Sequence, residues 1–577
     1  MIKVFHMPEI FLFRQSSMVL LLLLAVFLTD TAMAENKQPA LIAGVSHEVA
    51  LRLGERMYRD GILPSGEPMQ AVVEGDIPVD GKMFSCVSCH QRSGMGSYEG
   101  RVITLPINST NLYRPLSPMG DLSRSARDKM PQWLLTGDTR PAYTDETLAH
   151  VLRAGEDPGG RTINDIMPRY FLNDRDMEIM IYYLKNLSPE LSPGVNATTL
   201  HLATVITEDV SRQDREAMLL PLQRYAEGWG KSRHLELRAK KGPFTDEIMN
   251  KGYRKLRLSV WDLKGQPESW KSQLEEYYRN DPVFALLGGI STGEWGPIHK
   301  FCEDHKIPAI LPVTDFPVIS DSDWYTLYFS KGLYQEGEAA AKYLRRLEHI
   351  PDTVSVVQVF RNNRSGLALS NAFRKTWEGF AHPSPANRML GQDEVITPDL
   401  WRKLTALHKD SIMLLWLDAK DLSAVGSIAE VLDRPKMVFA SSSLLGEKLY
   451  SLPDSVRSFF YITYPYRLPQ EEKRYKTTTE TWLKNNQIPV TNLKTQSKMY
   501  FISSLLTTPL TMIQSNYYRD YFLELLDMME DQTYTIAIYP RLSFGPGQRY
   551  ASKGCYIVQL GNGPQPELIP RSDWVIY

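Results

Sequence analysis

The chain is poor in cysteine, with four in 577 residues, at positions 86, 89, 302 and 555. That excludes a small scaffold held by disulfides, a class dense in cysteine. It also lacks an excess of charge: 65 Lys and Arg stand against 67 Asp and Glu, which excludes bulk attraction to nucleic acid or anionic lipid. After the first 34 residues no apolar run approaches the ~18 residues of a spanning helix, so no stable membrane insertion is expected. Histidine is scarce and ends at His408. There is no P-loop, no H-E-x-x-H and no G-x-G-x-x-G, no repeat of fixed period and no low-complexity segment. What is present is an ordinary globular composition, 43% hydrophobic, in a chain too long for a single core.

The N-terminus departs from this composition. Lys3 and Arg14 precede an apolar run from Met18 to Leu28, followed by Thr31-Ala32-Met33-Ala34, an A-x-A cleavage pattern. The segment 1–34 reads as a secretory signal cleaved near Ala34. An uncleaved anchor is the weaker reading because the run is short. No lipidation cysteine follows, so the mature chain is expected to be periplasmic, where a free cysteine pair tends to oxidise.

Two of the four cysteines lie in "FSCVSCHQRSG", as Cys86, Cys89 and the adjoining His90. A thioredoxin-type dithiol needs a strand before it and a long helix after it; here the flanks are Gly81-Lys82-Met83-Phe84 and Gly94-Met95-Gly96. Zinc would find three ligands and no second C-x-x-C or H-x-x-x-H nearby. Covalent haem c uses every residue of the motif: two thiols form thioethers with the vinyl groups, and the next residue ligates iron. The downstream candidates for the second axial ligand are Met95, Met119, Met130, Met167 and His150. Met167 is favoured because Pro168 keeps it out of the helical region and in an extended loop. Asn173 or Asp174 then caps a helix whose Met177, Met180, Ile181 and Leu184 share one face.

These residues, with "AYTDETLAHVLRAGEDPGGR" at 142–161 and the Tyr-rich helix after Met167-Pro168, resemble a class I cytochrome c. More narrowly, they are similar to the cytochrome subunits that serve quinoprotein alcohol dehydrogenases, over residues 47 to 187. The resemblance implies an all-α cytochrome domain at 35–187, a quinoprotein dehydrogenase as a redox partner, and another cytochrome as acceptor. Where the family's first helix ends with a Gly-Tyr pair just before the haem motif, this chain has "LGERMYRDG" followed by an extra "ILPSGEPMQAVVEGDIPVDGKMF". It is expected to affect how the first helix docks on the last.

A Ser-Pro-Gly stretch at 188–199 reads as a linker. Beyond it, apolar runs such as "HLATVIT", "VFALLGGI", "IPAILPV", "VSVVQVF", "SIMLLWL" and "PKMVFAS" alternate with helical segments, the pattern of a parallel α/β sheet. Residues 200–577 are long enough for two lobes. Gly289-Ile290-Ser291-Thr292-Gly293 matches G-x-S-x-G, but a serine hydrolase needs a histidine later in the chain than its acid, and none follows His408. The same turn suits a ligand clamp at a strand end.

"FALLGGIST", "HKIPAILPVTD", "KGLYQEGEAAAKYL" and "RLSFGPGQRYASKGCYIVQL" resemble type I periplasmic solute-binding proteins, the class that includes branched-chain amino acid receptors. By that resemblance Ser291 and Thr292 hold a ligand carboxylate, with Val313 and Thr314 on the second loop. Where the family places a tyrosine, this chain has Arg361-Asn362-Asn363-Arg364, and where it places an acid for the α-amino group, Ser441 and its neighbours. The solute therefore stays open between another small polar molecule and none, the lobe serving as scaffold. The aromatic cluster "FFYITYPYR" at 459–467 reads as core rather than pocket. Pairing of Cys302 with Cys555 also stays open.

The expectation from sequence is thus a periplasmic electron carrier with a His90/Met167 haem c and a solute-binding-like module; no residue suggests bond-making on a substrate. The alternative is a transport receptor of the ABC type whose haem senses redox state. A peroxidase or gas sensor would require an open sixth position on the iron.

Overall fold

A computed structural model describes residues 41–99, 102–116, 139–239, 252–347, 354–408, 410–432, 434–529 and 533–576. The signal segment, Met119 and Met130 lie outside these residues. The chain divides into two compact units, with the boundary between Pro189 and Glu190.

The smaller unit is built on α1 (His47–Asp60), whose Ala50, Gly54, Met57 and Tyr58 recur at helical spacing and are buried. After α1 the inserted segment forms a hairpin, β1 (Gln70–Val73) with β2 (Ile77–Asp80), closed by Gly75 at φ +92°. It is followed by α2 (Cys86–His90), α3 (Asp145–Ala154), β3 (Arg169–Tyr170) and α4 (Asp174–Asn186). Thr144 and Thr147 cap the start of α3 reciprocally. At α4 the Asn173 side chain accepts from the Asp176 N–H at 2.9 Å, and Met177, Met180, Ile181 and Leu184 are buried.

The all-α expectation is corrected here. β1 pairs with β2 and also with β3, giving a three-stranded antiparallel sheet within a mainly helical unit. The physical reason is the alternation Met69, Ala71, Val73 in the inserted segment, which buries one face of a strand. The docking of the first helix on the last is intact: α1 meets α4 so closely at Gly54 that a Cβ there would overlap the Tyr183 side chain. The Tyr58 and Tyr183 rings pack beside that crossing at 5.4 Å.

The larger unit has two α/β lobes. The first contains β4 (Thr199–Thr207), α5 (Arg212–Ala239), β5 (Lys255–Leu263), α6 (Trp270–Asn280), β6 (Ala285–Leu287), α7 (Gly296–Asp304), β7 (Ala309–Ile310) and β8 (Thr326–Leu327). Its sheet is parallel throughout, in the order β8-β7-β6-β4-β5. The second lobe contains α8 (Leu333–Arg345), β9 (Val356–Arg361), α9 (Arg364–Gly379), β10 (Ala386–Leu390), α10 (Pro398–Leu407), β11 (Ile412–Trp416), β12 (Met437–Ser441) and β13 (Phe460–Tyr464).

The chain then returns through α11 (Pro469–Asn485), α12 (Leu493–Met512) and α13 (Arg519–Asp527). Met499, Ile502 and Leu506 of α12 join Leu202, Ile206 and Leu222 in the first lobe's core. β14 (Gly554–Leu560) and β15 (Leu568–Pro570) extend the second sheet, in the order β10-β9-β11-β12-β13-β14-β15, and Val575–Ile576 pairs with β14 as an eighth strand. In that order the first five strands are parallel and the last two antiparallel.

All six apolar runs singled out in the sequence contain parallel strands. β9, β11 and β12 are buried along their whole length, which is why they read as continuous apolar runs rather than as alternation. The 188–199 stretch is docked on the larger unit from Ser192, whose N–H donates to the Tyr517 carbonyl at 3.0 Å. Cys302 and Cys555 are buried in separate clusters and form no disulfide. Among the described residues no helix is long and apolar enough to cross a membrane.

Candidate functional site

In the smaller unit, Ser85 precedes the single helical turn that carries Cys86, Cys89 and His90. Two tyrosines hold that turn: the Tyr58 hydroxyl donates to the Gln91 carbonyl at 2.7 Å, and the Tyr170 hydroxyl donates to the Phe84 carbonyl at 2.9 Å. Tyr170 also lies 3.9 Å from the Cys86 sulfur. Because Tyr170 is three residues after Met167, its bond to Phe84 ties the strand that follows the Met167-Pro168 loop to the cysteine motif. Cys86, Val87 and Met167 pack against the same apolar cluster. The loop is tied by the Met167 N–H to the Asn164 carbonyl at 3.1 Å and by the Arg169 guanidinium to the Met167 and Ile163 carbonyls at 2.5 and 3.1 Å.

His90 is half-buried, with Nδ1 3.2 Å from the Leu105 carbonyl. A hydrogen bond there fixes the proton on Nδ1 and leaves Nε2 with its lone pair, the arrangement in which a ligating histidine is oriented by a backbone carbonyl. Burial pushes the imidazole down to about 4, so it is neutral at pH 7, and pushes the Cys86 thiol up to about 11. Of the other axial candidates among the described residues, Met95 is half-buried, while His150 is exposed and 3.6 Å from the Glu156 carboxylate. Met83, Ile103, Leu105 and Ile166 leave large apolar side chains exposed in this unit. Neutral imidazole, two thiols, a thioether on the same cluster and uncovered apolar surface fit a covalently held haem.

In the larger unit the carboxyl ends of the sheet strands carry the residues singled out in the sequence. Ser291 and Thr292 follow β6, Val313 and Thr314 follow β7, and the Ser291 N–H donates to the Val313 carbonyl at 3.2 Å. The clamp groups expected for a ligand carboxylate are already engaged. Ser291 Oγ donates to the Glu294 carbonyl at 3.2 Å and accepts from the Gly293 N–H at 3.1 Å. Thr292 Oγ1 bonds to the Asp209 carboxylate, which also takes the Thr207 hydroxyl. Ser441 is fully buried at the end of β12, where its Oγ accepts from the Leu444 N–H at 3.2 Å. Arg361 does not stand in a pocket as a tyrosine substitute: its guanidinium makes a buried pair with Asp421 at 2.6 and 2.7 Å and donates to the Gly391, Gln392 and Glu394 carbonyls. Arg364 reaches the other lobe, 2.7 Å from Glu294.

A polar cavity, partly open to solvent, lies where the chain crosses between the lobes. Thr314 is the one residue of the expected set that lines it. Around it stand Asp315, Ser330, Ser443, Tyr466, Lys498 and Tyr539. Gly332, at φ +58°, closes one side; a Cβ there would overlap the Asp315 carbonyl, so the turn into α8 needs glycine. The Tyr466 hydroxyl is 3.1 Å from Ser443 Oγ, and its ring meets the Tyr539 ring at 6.2 Å. Lys494 lies over the Tyr466 ring at 4.1 Å; Lys498 lies 5.3 Å from the Phe329 centroid and 5.8 Å from that of Tyr539. Arg467, the residue after Tyr466, holds the Tyr539 segment through the Ile536 and Tyr539 carbonyls, both at 2.9 Å.

Burial brings the Lys498 amine down to about 8, with Lys494 adding to the effect and Asp315 opposing it. Behind Ser443, on the first turn of α8, Glu336 is fully buried and raised to about 7 by desolvation, against the hydrogen bonds that its carboxylate receives. Its Oε2 accepts from the Ser442 N–H at 3.1 Å and the Thr463 hydroxyl at 2.6 Å. No sequence motif marks Lys498 or Tyr539, and Tyr466 falls in the aromatic stretch that reads as core. The one signal for Lys498 was the absence of any acid within four positions on either side, which leaves it without a helical ion-pair partner.

No protein-family model matches the sequence, and no curated protein does. Several solved structures are similar to the chain. One is a fatty acid ABC transporter substrate-binding protein from Thermomonospora curvata (14% identity, TM-score 0.43, covering 67% of this chain and 95% of that one). Another is a putative branched-chain amino acid ABC transporter from Rhodospirillum rubrum (13%, 0.45, 66% and 100%). A third is a branched-chain amino acid ABC transporter from Thermus thermophilus with bound valine (11%, 0.46, 66% and 97%).

Proposed function

We propose that this protein is an exported solute receptor of the ABC-transporter type, whose larger unit captures a small polar molecule between its lobes and whose smaller unit carries one covalent haem c. The observation that carries the receptor reading is the cavity, which draws its polar groups from both lobes and from the segments crossing between them. This places the receptor reading ahead of the electron carrier expected from the cysteine motif, because the motif occupies only the smaller unit. The solute would be delivered to a membrane permease.

Support for the haem comes from the Nδ1 contact of His90 with Leu105 and from Cys86 and Met167 sharing one cluster. Cys86, Cys89, His90 and Met167 would hold it, and it would supply a one-electron ferric–ferrous couple. Tyr58 and Tyr170 position the cysteine turn, and Arg169 holds the Met167 loop in place. A quinoprotein dehydrogenase or another cytochrome would be the redox partner of this unit.

The test is purification of the chain from the periplasm, with native mass spectrometry of whatever solute accompanies it and a haem stain after denaturing electrophoresis. A bound solute and a stained band are expected. The stain should be lost in a Cys86→Ser, Cys89→Ser double variant, and the weak charge-transfer band of methionine-ligated ferric haem should be lost in Met167→Ala. A wild-type chain without a stained band would remove the haem from the proposal; one that binds no solute would remove the receptor.

A further inference from the structure

The cavity of the larger unit contains an ammonium group that lacks a counter-ion. Lys498 is 8% exposed, lines the cavity, and makes no hydrogen bond or ion pair among the described residues. Its neighbours are the faces of Phe329 and Tyr539, at 5.3 and 5.8 Å. Lys494, on the same helix, repels it, and Asp315 attracts it from an exposed position on the loop after β7. A cation held out of water without a partner is costly to the folded chain, and an entering anion recovers part of that cost.

The rest of the lining narrows the anion. Three aliphatic hydroxyls, from Thr314, Ser330 and Ser443, border the cavity. Thr314 Oγ1 accepts from the Phe316 N–H at 3.0 Å, which leaves its hydroxyl proton for a ligand oxygen, while Ser330 Oγ accepts from the Gly332 N–H at 3.1 Å and bonds to the Tyr539 side chain. There is one buried cation and no guanidinium in the lining, while Asp315 opposes a second negative charge. That suits a monoanion, a carboxylate rather than a phosphate. Pro312, Phe329, Pro465, Tyr466 and Tyr539 give the remaining wall a flat apolar character. The groups first expected to clamp a carboxylate, Ser291 and Thr292, are committed to Glu294 and Asp209.

We propose that the cavity binds a small carboxylate with a flat apolar body, its charge paired with Lys498 and its body packed against Tyr466 and Tyr539. This rests on the reading of the larger unit as a solute receptor. The full chain, purified as it is exported and freed of any bound solute, is titrated calorimetrically at pH 7 with benzoate, its neutral analogue benzamide and the cation benzylamine. Benzoate is expected to bind at least about tenfold more tightly than either of the others. Lys498→Met, which keeps the length of the side chain, should remove that preference and leave benzamide within about twofold; Lys498→Arg should retain it.

Benzamide or benzylamine binding as tightly as benzoate to the wild type overturns the proposal without reference to any variant, as does a preference for benzoate that survives in folded Lys498→Met. Mass spectrometry of the untreated protein separates this failure from that of the receptor reading. A neutral or cationic solute found there overturns the carboxylate and leaves the receptor standing; no solute there and no binding of the three probes overturns both.

Discussion

Replacing Lys498 by methionine should make the larger unit more stable at neutral pH, although it removes a charge from the proposed binding cavity. The ordinary lysine value of 10.5 prevails in the unfolded chain, and burial brings it down to about 8 in the folded one. At about 1.4 kcal/mol per pH unit, the folded protein carries a penalty of about 3 kcal/mol for keeping this ammonium charged. The side chain is over nine-tenths buried, so solvent does not screen the penalty away. The charged and titratable groups around it are Lys494 on its own helix, Asp315 on the loop after β7, Tyr539, and Tyr466 with Glu336 beyond it.

Because the folded value is the lower one, the penalty is complete below pH 8, is relieved as the folded chain sheds the proton, and is gone above 10.5. Wild type should therefore gain about 3 kcal/mol relative to Lys498→Met between pH 7 and pH 10.5. For a unit of this size that is a rise of about 4 °C in the wild type's melting temperature relative to the variant. Scanning calorimetry of both proteins across that range reads the difference, and other titrating groups cancel in it. A difference that stays flat with pH would refute the argument, since it would mean that the ammonium is hydrated or paired in the folded chain. Saturating benzoate should move the window to higher pH, because a bound anion raises the folded value.

Glu336 has the opposite sign: with its carboxyl raised to about 7 by burial, its contribution is complete below pH 4.5 and is lost as pH rises through 7, so wild type should lose about 3 kcal/mol over that range relative to Glu336→Gln in urea titrations. Gly54→Val places a side chain where α1 touches Tyr183, and should destabilise the smaller unit by about 1–3 kcal/mol or more, read from its own melting transition. Asp421→Ala leaves the Arg361 guanidinium buried without its carboxylate and should cost about 3–5 kcal/mol in the second lobe, measured as a drop in the urea midpoint.

What could be read from the sequence was what local pattern encodes. Six apolar runs became parallel strands because strands covered on both faces need no polar alternation. Asn173 caps its helix, and Met167-Pro168 lies in a loop against the cluster that takes Cys86, because capping and the steric effect of proline act within a few residues. What escaped was set by distance along the chain. Thr292 looks like a free clamp hydroxyl until Asp209, 83 residues earlier, is brought to it by the pairing of β4 with β6. The inserted segment looked like a disturbance to helix docking and is instead a hairpin whose partner strand, Arg169–Tyr170, lies about a hundred residues further on. Lys498 reads as one more surface charge in a helix; α12 buries residues on nearly every side, so no periodicity distinguishes the face on which the lysine falls.

These long-range contacts also explain why the cavity is not where the strand topology alone would put it. In open parallel sheets a ligand commonly sits where the strand order reverses, which here means between β4 and β6 in the first lobe and between β9 and β11 in the second. The chain fills both crevices with its own side chains, Thr292 with Asp209 in one and Arg361 with Asp421 in the other. The groups that line the cavity come instead from segments that pass between the lobes or dock back on the first: the turn from Asp315 to Gly332, Tyr466 at the exit from β13, Lys498 on α12, and Tyr539, which Arg467 holds in place. A site made from crossing segments cannot keep its lining unchanged if the lobes rotate. Any solute that satisfies Lys498 therefore favours the lobe arrangement that brings these segments together, and its binding energy is divided between pairing with the ammonium and holding the lobes in place.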